Sequence, residues 1–571
     1  MSDDTALSDD DTHLNEWHWR PWVLAALLGV AALGVHFASD GGDNVPWRMA
    51  LTAALVFGPL ALAFTLSPDR WKSAGLFAAG VALVMAGIAW RTVSAGERYA
   101  DEGFWVAAGL LSVTLSLPLF QAGFHHLRWK TSYKVTHFHV WTDAITGAGA
   151  FAFVGLSWAL LLILSELFSA IQIDVLEELI KQGWFGWAFS GATFGAALGV
   201  LRNQLKIIGT LQNVVLLVLS ILAVPLAAAL VIFLLAVLVS GLDVLWEATK
   251  SATPLLLAIA VGCFVLTNAV VRDEDERASN SRILRIAGFV LALGILPLAL
   301  MAAMSMGTRI GQHGLSPERL WALVAIAVAV AYGVAYFVSA IRGRREGWRG
   351  LLRQSNLHLA VLTCVVAFIL ALPVFNFGAI SASNQLARLQ SGAVGFDEFD
   401  YDALRWDFGD AGREALDQLA QSDNADIARL AAEARDLEER RYGLLGNARF
   451  EVAERADLSA FDEETAEIIR VYLRDTIYLC TEDCQVVPLR EDEAGQLIAV
   501  ISQSGIGSNP HLILIAPDSD TASTQRIFNG ILADEFDFPE REITADSEVE
   551  LRPFVGQQVF IDGEPASQPF E

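Results

Sequence analysis

Carboxylates inside the apolar segments are the side chains of this sequence that could do chemistry. A charge near the middle of a bilayer costs at least about 2.5 kcal/mol and is kept mainly for a function. Glu166 in LLILSELFSAI is the best-placed one, and Asp243 and Glu247 in GLDVLWEATKS share a helical face through their spacing of four. Such residues could act as acid and base in a membrane-embedded enzyme for lipid or glycan precursors. All three lie near segment ends, which favours side chains that reach the interface, and we predict no catalytic residue.

Four of the ten histidines fall in the run FHHLRWKTSYKVTHFHVW, as His125, His126, His137 and His139. Imidazoles are good ligands for zinc and other transition metals. Their spacing, however, matches no closed structural site, and aromatic and basic residues are interleaved with them. That pattern is typical of an amphipathic segment at a membrane interface. We predict no bound metal and no other cofactor.

Motifs of nucleotide and hydrolase chemistry are missing from the sequence. It has no GxxxxGK[ST] phosphate loop, no dinucleotide GxGxxG, no GxSxG elbow and no HExxH. ATP-driven transport and familiar hydrolase mechanisms therefore lose their main support. We expect no enzymatic activity.

Two cysteines stand close together in the run CTEDC, as Cys480 and Cys484. In an oxidising compartment, a bridge closing so short a loop would add about 2 kcal/mol of stability, and we predict a disulfide. A redox-active pair or half of a metal site stays an alternative, although the spacing is not CxxC. Cys263 and Cys364 lie in apolar segments and are expected to pack as small hydrophobic residues.

The charge of the chain is concentrated at its carboxyl end. Of 571 residues, 54% are hydrophobic and 18% charged, so a bilayer or a very large core must absorb the apolar side chains. After residue 380 lie 15 of the 39 Lys and Arg and 40 of the 65 Asp and Glu, a net charge of −25 out of −26. Such an acidic tail argues against nucleic acid as a partner and indicates a solvated domain.

Eleven apolar segments approach or exceed the roughly 20 residues that a helix needs to cross a bilayer. The acidic start of the chain lacks the basic segment of a secretory signal, so we expect the first of them to be an uncleaved anchor. We place the spans at residues 22–39, 48–66, 73–90, 104–123, 144–170, 184–201, 211–238, 253–271, 283–304, 320–341 and 357–375.

The sixth segment, WFGWAFSGATFGAALGVL, is the least hydrophobic of the eleven. It carries Gly191, Gly195 and Gly199 four residues apart, so all three lie on one helical face. Small residues on one face let two helices approach closely within a membrane. We predict that this segment is an interior helix of the bundle.

Orientation follows from the basic residues of the connections, which are retained preferentially on the cytoplasmic side. Counted with Arg48 and Arg285, which lie just inside the adjoining spans, the even-numbered connections hold 16 Lys and Arg, whereas the odd-numbered ones hold 7. This predicts a cytoplasmic N-terminus and, with an odd number of spans, an extracytoplasmic C-terminus.

The tail changes its pattern along its length. Apolar residues recur every three or four positions up to about residue 467, which is helical. Beyond that, IIRVYLRDTIYL, CQVVPL, QLIAVISQ, HLILIA and QQVFIDG predict a small β-rich unit whose sheet starts near Val471. The fold class is an all-α polytopic membrane bundle followed by a soluble α+β extracytoplasmic domain. The predicted divisions are a cytoplasmic tail at 1–21, the bundle at 22–378, a helical segment at 379–467 and the β-rich domain at 468–571.

Several spaced runs resemble one known family. They are GWFGWAFSGATFGAALGVLR, GLDVLWEATKSATPLLL, GQHGLSPERLWALVAIAVAVAY, ASNQLARL and FDYDALRWDFGDAGREAL, within about residues 100–420. Together they resemble bacterial multi-spanning membrane proteins grouped as domain of unknown function 4153. The resemblance implies a helical bundle in a bacterial cytoplasmic membrane, and it carries over no catalytic residue.

The preferred interpretation is a non-enzymatic membrane anchor with an exported sensing or interaction domain. Its partners would be the lipid bilayer and other envelope proteins, bound through the acidic domain. A permease-like carrier of a small neutral or lipidic solute and a membrane-embedded enzyme are the two alternatives. The sequence does not specify an oligomeric state.

Overall fold

Long helices dominate the first two thirds of the chain. The computed structural model describes residues 17–40, 45–100, 102–241, 252–276, 278, 281–437, 456–476, 484–492, 495–502, 511–515, 522–524, 560–561 and 564–565. Within them, eleven helices are long and apolar enough to cross a membrane, which confirms the predicted count. They are α1 Arg20–Ser39, α2 Pro46–Thr65, α3 Trp71–Ala95, α4 Glu102–Gln121, α5 Tyr133–Ser169, α6 Gly183–Asn203, α7 Leu205–Ser240, α8 Ala252–Val271, α9 Arg282–His313, α10 Pro317–Arg342 and α11 Arg344–Ala371.

The described residues fall into two compact units. One unit comprises Met1–Leu386 and Leu404–Ala415, and the other comprises Ala387–Ala403 and Leu416–Glu571. We call them the membrane unit and the tail unit. The helices that follow α11 are α12 Phe377–Gln390, α13 Tyr401–Trp406, α14 Asp410–Leu419, α15 Ala425–Arg435 and α16 Glu463–Asp475, with short helical turns at Phe124–Leu127 and Val175–Ile180.

The membrane unit presents apolar side chains both to its interior and to its surroundings. Leu291, Leu298 and Tyr336 are completely buried in a core that α7 to α11 form together. Leu76, Leu238 and Val239 are instead more than 75% exposed on the outer surface. A helix bundle with an apolar exterior matches a protein whose solvent is lipid.

The fifth helix begins earlier than expected. Residues 133–143 were predicted to belong to an amphipathic interfacial segment, with the span starting at 144, but α5 runs unbroken from Tyr133. His137 and His139 therefore lie inside a spanning helix. The physical reason is that this part of α5 buries a polar face within the bundle, so hydropathy alone underestimates its membrane character.

The tail unit contains a five-stranded sheet. Its strands lie in the order β1 Ala456–Asp457, β2 Cys484–Asp492, β3 Gly495–Ser502, β4 His511–Ile515 and β5 Ala522–Thr524, and β1 pairs with β2 in parallel while the other pairs are antiparallel. A separate antiparallel pair joins β6 Phe560–Ile561 and β7 Glu564–Pro565. Residues two apart, such as Ile498 and Val500, point to the same buried face.

The prediction of a strand near Val471 was wrong, because residues 463–475 form α16. The Asp462 carboxylate accepts a hydrogen bond from the Thr465 backbone amide at 2.9 Å and so begins the helix. Ile469 and Leu473 are completely buried one turn apart and pack with the sheet. Branched residues favoured a strand here, but the cap and the spacing of four prevailed.

Candidate functional site

The interior of the membrane unit contains a polar zone that begins on α5. The fully buried positions of α5 are Thr136, His137, Thr142, Thr146, Ala150 and Ser165, and all but one are polar. Phe151 and Leu156, in contrast, are about 70% exposed. Since polar side chains inside a membrane protein face the bundle interior, this distribution marks the inward face of α5.

Two amides and two phenols form a closed hydrogen-bond network, which we call the amide–phenol network. The Asn356 amide donates to Asn268 Oδ1, the Asn268 amide donates to the Tyr336 hydroxyl, and that hydroxyl donates to Asn356 Oδ1, each at 2.7 Å. The Tyr133 hydroxyl lies 3.3 Å from Asn356 Nδ2 and 3.4 Å from Asn268 Oδ1. The network ties α5, α8, α10 and α11 together, and its donors and acceptors mostly satisfy one another.

An ion-pair group adjoins this network at the carboxyl end of α8. The Arg353 guanidinium donates to the backbone carbonyls of Val271 at 2.8 Å and Arg272 at 3.0 Å, and to the Asp275 carboxylate at 3.0 Å. Arg349 approaches the same carboxylate at 3.4 Å. The Arg353 side chain is only 12% exposed, so its charge is held by these oxygens rather than by solvent.

Arginines close the carboxyl ends of neighbouring helices throughout the membrane unit. The last four carbonyls of a helix lack partners within it, and the helix dipole favours a cation there. Arg20 donates to the Arg202 carbonyl at the end of α6, Arg202 to the Ala63 carbonyl at the end of α2, and Arg91 to the Ala371 carbonyl at the end of α11. Arg353 does the same for α8. These cations, of which Arg20 is buried and the other three are partly buried, are thus used in joining one helix to another.

One carboxylate near these arginines, that of Asp143, is only partly hydrogen-bonded. Asp143 on α5 accepts a hydrogen bond at 3.3 Å from the Gln121 amide, which also donates to the Phe64 carbonyl at 2.8 Å. The positive charge of Arg202 attracts the carboxylate. The second oxygen, Oδ2, is buried and has no hydrogen-bond partner among the described residues. Among the described residues, Asp143 is therefore a buried carboxylate with hydrogen-bonding capacity left, and the Thr142 hydroxyl and Gln121 Oε1 are buried without a hydrogen-bond partner as well.

The residues singled out in the sequence lie elsewhere. Glu166 is exposed on the outer surface of α5, and Asp243 and Glu247 lie outside the described residues. Cys484 is buried at the start of β2, whereas Cys480 also lies outside the described residues.

The three glycines of α6 face α1. A Cβ atom built on Gly191 would lie 2.7 Å from Ala32 Cβ, one on Gly195 would lie 2.6 Å from the Leu24 carbonyl carbon, and one on Gly199 would lie 2.5 Å from Pro21 Cα. Two of these three neighbours are backbone atoms, which cannot move aside as a flexible side chain can. The close approach of α1 and α6 therefore requires glycine at these positions.

Two of the runs that carry the family resemblance, ASNQLARL and GQHGLSPERLW, are joined by hydrogen bonds. The Leu315 backbone amide donates to Asn384 Oδ1 at 2.9 Å, and the Gln385 amide donates to the carbonyls of His313 and Leu315 at 2.9 and 2.8 Å. ASNQLARL on α12 thus holds the turn of GQHGLSPERLW between α9 and α10. Gly409, with a positive φ of 65°, also packs against Arg98, where a Cβ atom would lie 2.9 Å from the carbonyl carbon.

The family match covers this architecture. Residues 23–419 match the family described as a domain of unknown function, DUF4153. The chain belongs to this family. The match extends over all eleven long helices and ends with α14, so the DUF4153 region includes the turns that α12 holds and excludes the sheet of the tail unit. The comparison with curated proteins found no match, and neither did the comparison with solved structures.

Sequence reasoning missed Asp143 and the amide–phenol network. Asp143 stood directly before the predicted fifth span and so counted as part of a connection. The sequence nevertheless indicated Asp143, because this residue is a single carboxylate next to the small-residue run AITGAGA inside a long uncharged stretch. Asn268 is a single amide within the apolar segment ATPLLLAIAVGCFVLTNAVV. Its partners on three other helices have no shared sequence pattern and appear only in three dimensions.

Proposed function

We propose that the membrane unit is a rigid anchor that holds an exported sensing or interaction domain. The observation that carries this proposal is the use of buried polar groups: Arg20, Arg91, Arg202 and Arg353 join helix ends, and the amide–phenol network closes on itself. A carrier that alternates between two conformations needs interfaces that separate easily. Here each separation would break hydrogen bonds between helices and expose unpaired carbonyls to lipid.

The proposal includes an orientation and a compartment. The resemblance to bacterial multi-spanning membrane proteins is the basis for a bacterial inner-membrane location. The basic residues of the even-numbered connections support a cytoplasmic N-terminus, with the acidic tail outside the cytoplasm. There the tail would be a soluble α+β domain, and Cys480 and Cys484 would form a disulfide in the oxidising compartment. Its net negative charge suits recognition of other envelope proteins through basic surfaces.

Site-specific photo-crosslinking of the full chain tests the interaction role. A photoreactive residue replaces Val471, which is 44% exposed on α16, and a matched one replaces Leu238, which is 81% exposed on α7. The proposal expects a discrete protein adduct from position 471 in intact cells and lipid adducts from position 238. Crosslinking of position 471 to water alone, at native expression, would argue against an interaction domain.

The buried carboxylate favours one second candidate, a proton-coupled carrier. A charged group in the membrane interior is by default a functional hypothesis, and the Oδ2 atom of Asp143 has bonding capacity left. The test is proton flux into vesicles containing the full chain, followed with a pH-sensitive dye under an imposed gradient. A carrier would lose flux in Asp143→Asn and keep it in the exposed control Glu166→Gln. The anchor proposal expects no flux above that of empty vesicles in any of them.

A further inference from the structure

Two connections on the same face of the membrane unit expose a continuous basic and aromatic surface. Every residue from His125 to Lys130 is exposed, and so are Arg70 just before α3 and Trp71 and Lys72 in its first turn. Trp71 and Trp129 are each 59% exposed and Leu127 is 50% exposed. We call this surface the basic platform, which comprises Arg70, Trp71, Lys72, His125, His126, Leu127, Arg128, Trp129 and Lys130.

Ring contacts join the connection between α4 and α5 to the helices around it. Phe120 at the end of α4 stacks on Phe77 of α3, with 4.2 Å between ring centroids, and on His125, with 4.8 Å. The His125 and His126 rings lie 3.8 Å apart, and the charge of Arg70 acts on His125. Trp129 stacks on His358 of α11 at 5.1 Å. The His125–Lys130 part of the platform is therefore packed against the helices, and Arg70 is near enough to His125 for its charge to act on that ring.

The cations of the platform lack compensating carboxylates. The sequence from Gly103 to Thr142 contains no Asp or Glu, and Asp69 is the one acidic residue between positions 66 and 72. Lys134, next to the platform, pairs with Glu274 at 2.6 Å. Among the described residues, Arg128 and Lys130 form no ion pair. Their charge is thus available to a ligand.

The backbone of Arg128 adds a second observation. Its φ is +52° and its ψ is −128°, a conformation that favours glycine. A non-glycine residue held there is strained, and such strain is found most often at functional positions. Thr131 supports the turn, because its backbone amide and hydroxyl both donate to the Arg128 carbonyl, at 3.1 and 2.7 Å. The chain keeps an arginine where glycine would relieve strain.

We propose that the basic platform binds the phosphate groups of anionic phospholipids in the adjoining leaflet. Exposed Trp71, Leu127 and Trp129 are side chains suited to the level of the head groups, where tryptophan is enriched at membrane interfaces. Arginine and lysine at that depth attract anionic lipid. The inference goes beyond the proposed anchor function, because a rigid anchor needs no preference for particular lipids.

The test is lipid binding to the full-length protein in detergent, titrated with short-chain phosphatidylglycerol or phosphatidylcholine and followed by native mass spectrometry. Each basic residue near the surface contributes roughly a fivefold change in binding, so Arg128→Gln with Lys130→Gln should weaken phosphatidylglycerol binding roughly 30-fold at low salt. The control pair, Lys206→Gln with Arg285→Gln, removes two exposed charges from the first turns of α7 and α9 and should leave phosphatidylglycerol binding within twofold.

Two further measurements distinguish phospholipid binding from a loss of stability and from binding of free phosphate. Arg128→Gly relieves the backbone strain, so it should keep or raise thermal stability while weakening phosphatidylglycerol binding roughly fivefold. Inorganic phosphate at equal concentration should not compete. Equal phosphatidylglycerol affinity in the platform and control variants would overturn the proposal, and so would full competition by inorganic phosphate.

Discussion

Replacing Gly195 by alanine places a methyl group between α1 and α6, where the backbone atoms of Leu24 leave no room for it. The added Cβ atom would lie 2.6 Å from the Leu24 carbonyl carbon, so the helices must separate by at least several tenths of an ångström. Overpacking of this kind costs about 1–3 kcal/mol. Alanine also raises helix propensity by about 1 kcal/mol, which offsets part of that cost.

Gly155 on α5 supplies the matched control. A Cβ atom built there meets nothing within 4 Å, so Gly155→Ala changes helix propensity without changing packing. We expect the free energy of unfolding of Gly195→Ala, measured in mixed micelles, to be about 1–3 kcal/mol below that of Gly155→Ala. Effects of alanine at Gly191 and Gly199 should not simply add, because all three residues share one interface. Equal stability of the 195 and 155 variants would refute the close approach of α1 and α6.

Three other predictions concern the polar groups. Asn356→Leu removes three hydrogen-bond contacts of the amide–phenol network and should lower the free energy of unfolding by about 2 kcal/mol, at about 0.6 kcal/mol per bond within a membrane. Arg353→Gln should speed amide hydrogen exchange at the carboxyl end of α8, with unchanged exchange arguing against the cap. The pKa of His125 is lowered by partial desolvation of its ring and by the charges of His126 and Arg70. By NMR, His125 should therefore titrate below 6.5, and His126→Ala should raise its pKa.

The sequence was sufficient to predict the eleven long helices. Their apolar length is a local property, and a bilayer imposes it on every span independently of the neighbours. The same reasoning placed the start of α5 too late in the chain, because Thr136, His137 and Thr142 are polar and yet buried. Their burial depends on the helices around them, which hydropathy along one segment does not reveal.

In the tail, the sequence predicted three strands but mistook one helix for a strand. Strands β2, β3 and β4 were predicted from alternating branched residues, whereas α16 was mistaken for a strand. IIRVYLRD contains β-branched residues but also places Ile469 and Leu473 four residues apart, and a single sequence does not decide between the two patterns. The Asp462 cap decided it in favour of the helix.

The candidate site depended even more on three-dimensional contacts. Asn268, Tyr336 and Asn356 come from three helices and are up to 88 residues apart in the chain. Nothing in their local sequences indicates that they meet. The capping arginines could have been anticipated in part, because Arg20, Arg202 and Arg353 lie near helix ends. Which helix end each of them closes follows only from the packing of the bundle.

The most direct test of the anchor with an exported domain is the location of the C-terminus. A reporter enzyme that is active only outside the cytoplasm is fused after Glu571, and in a second chain after Gly343 in the tenth connection. The account predicts an active reporter after Glu571 and an inactive one after Gly343. An inactive reporter after Glu571 with an active one after Gly343 would reverse the orientation, and would contradict both the exported domain and its disulfide.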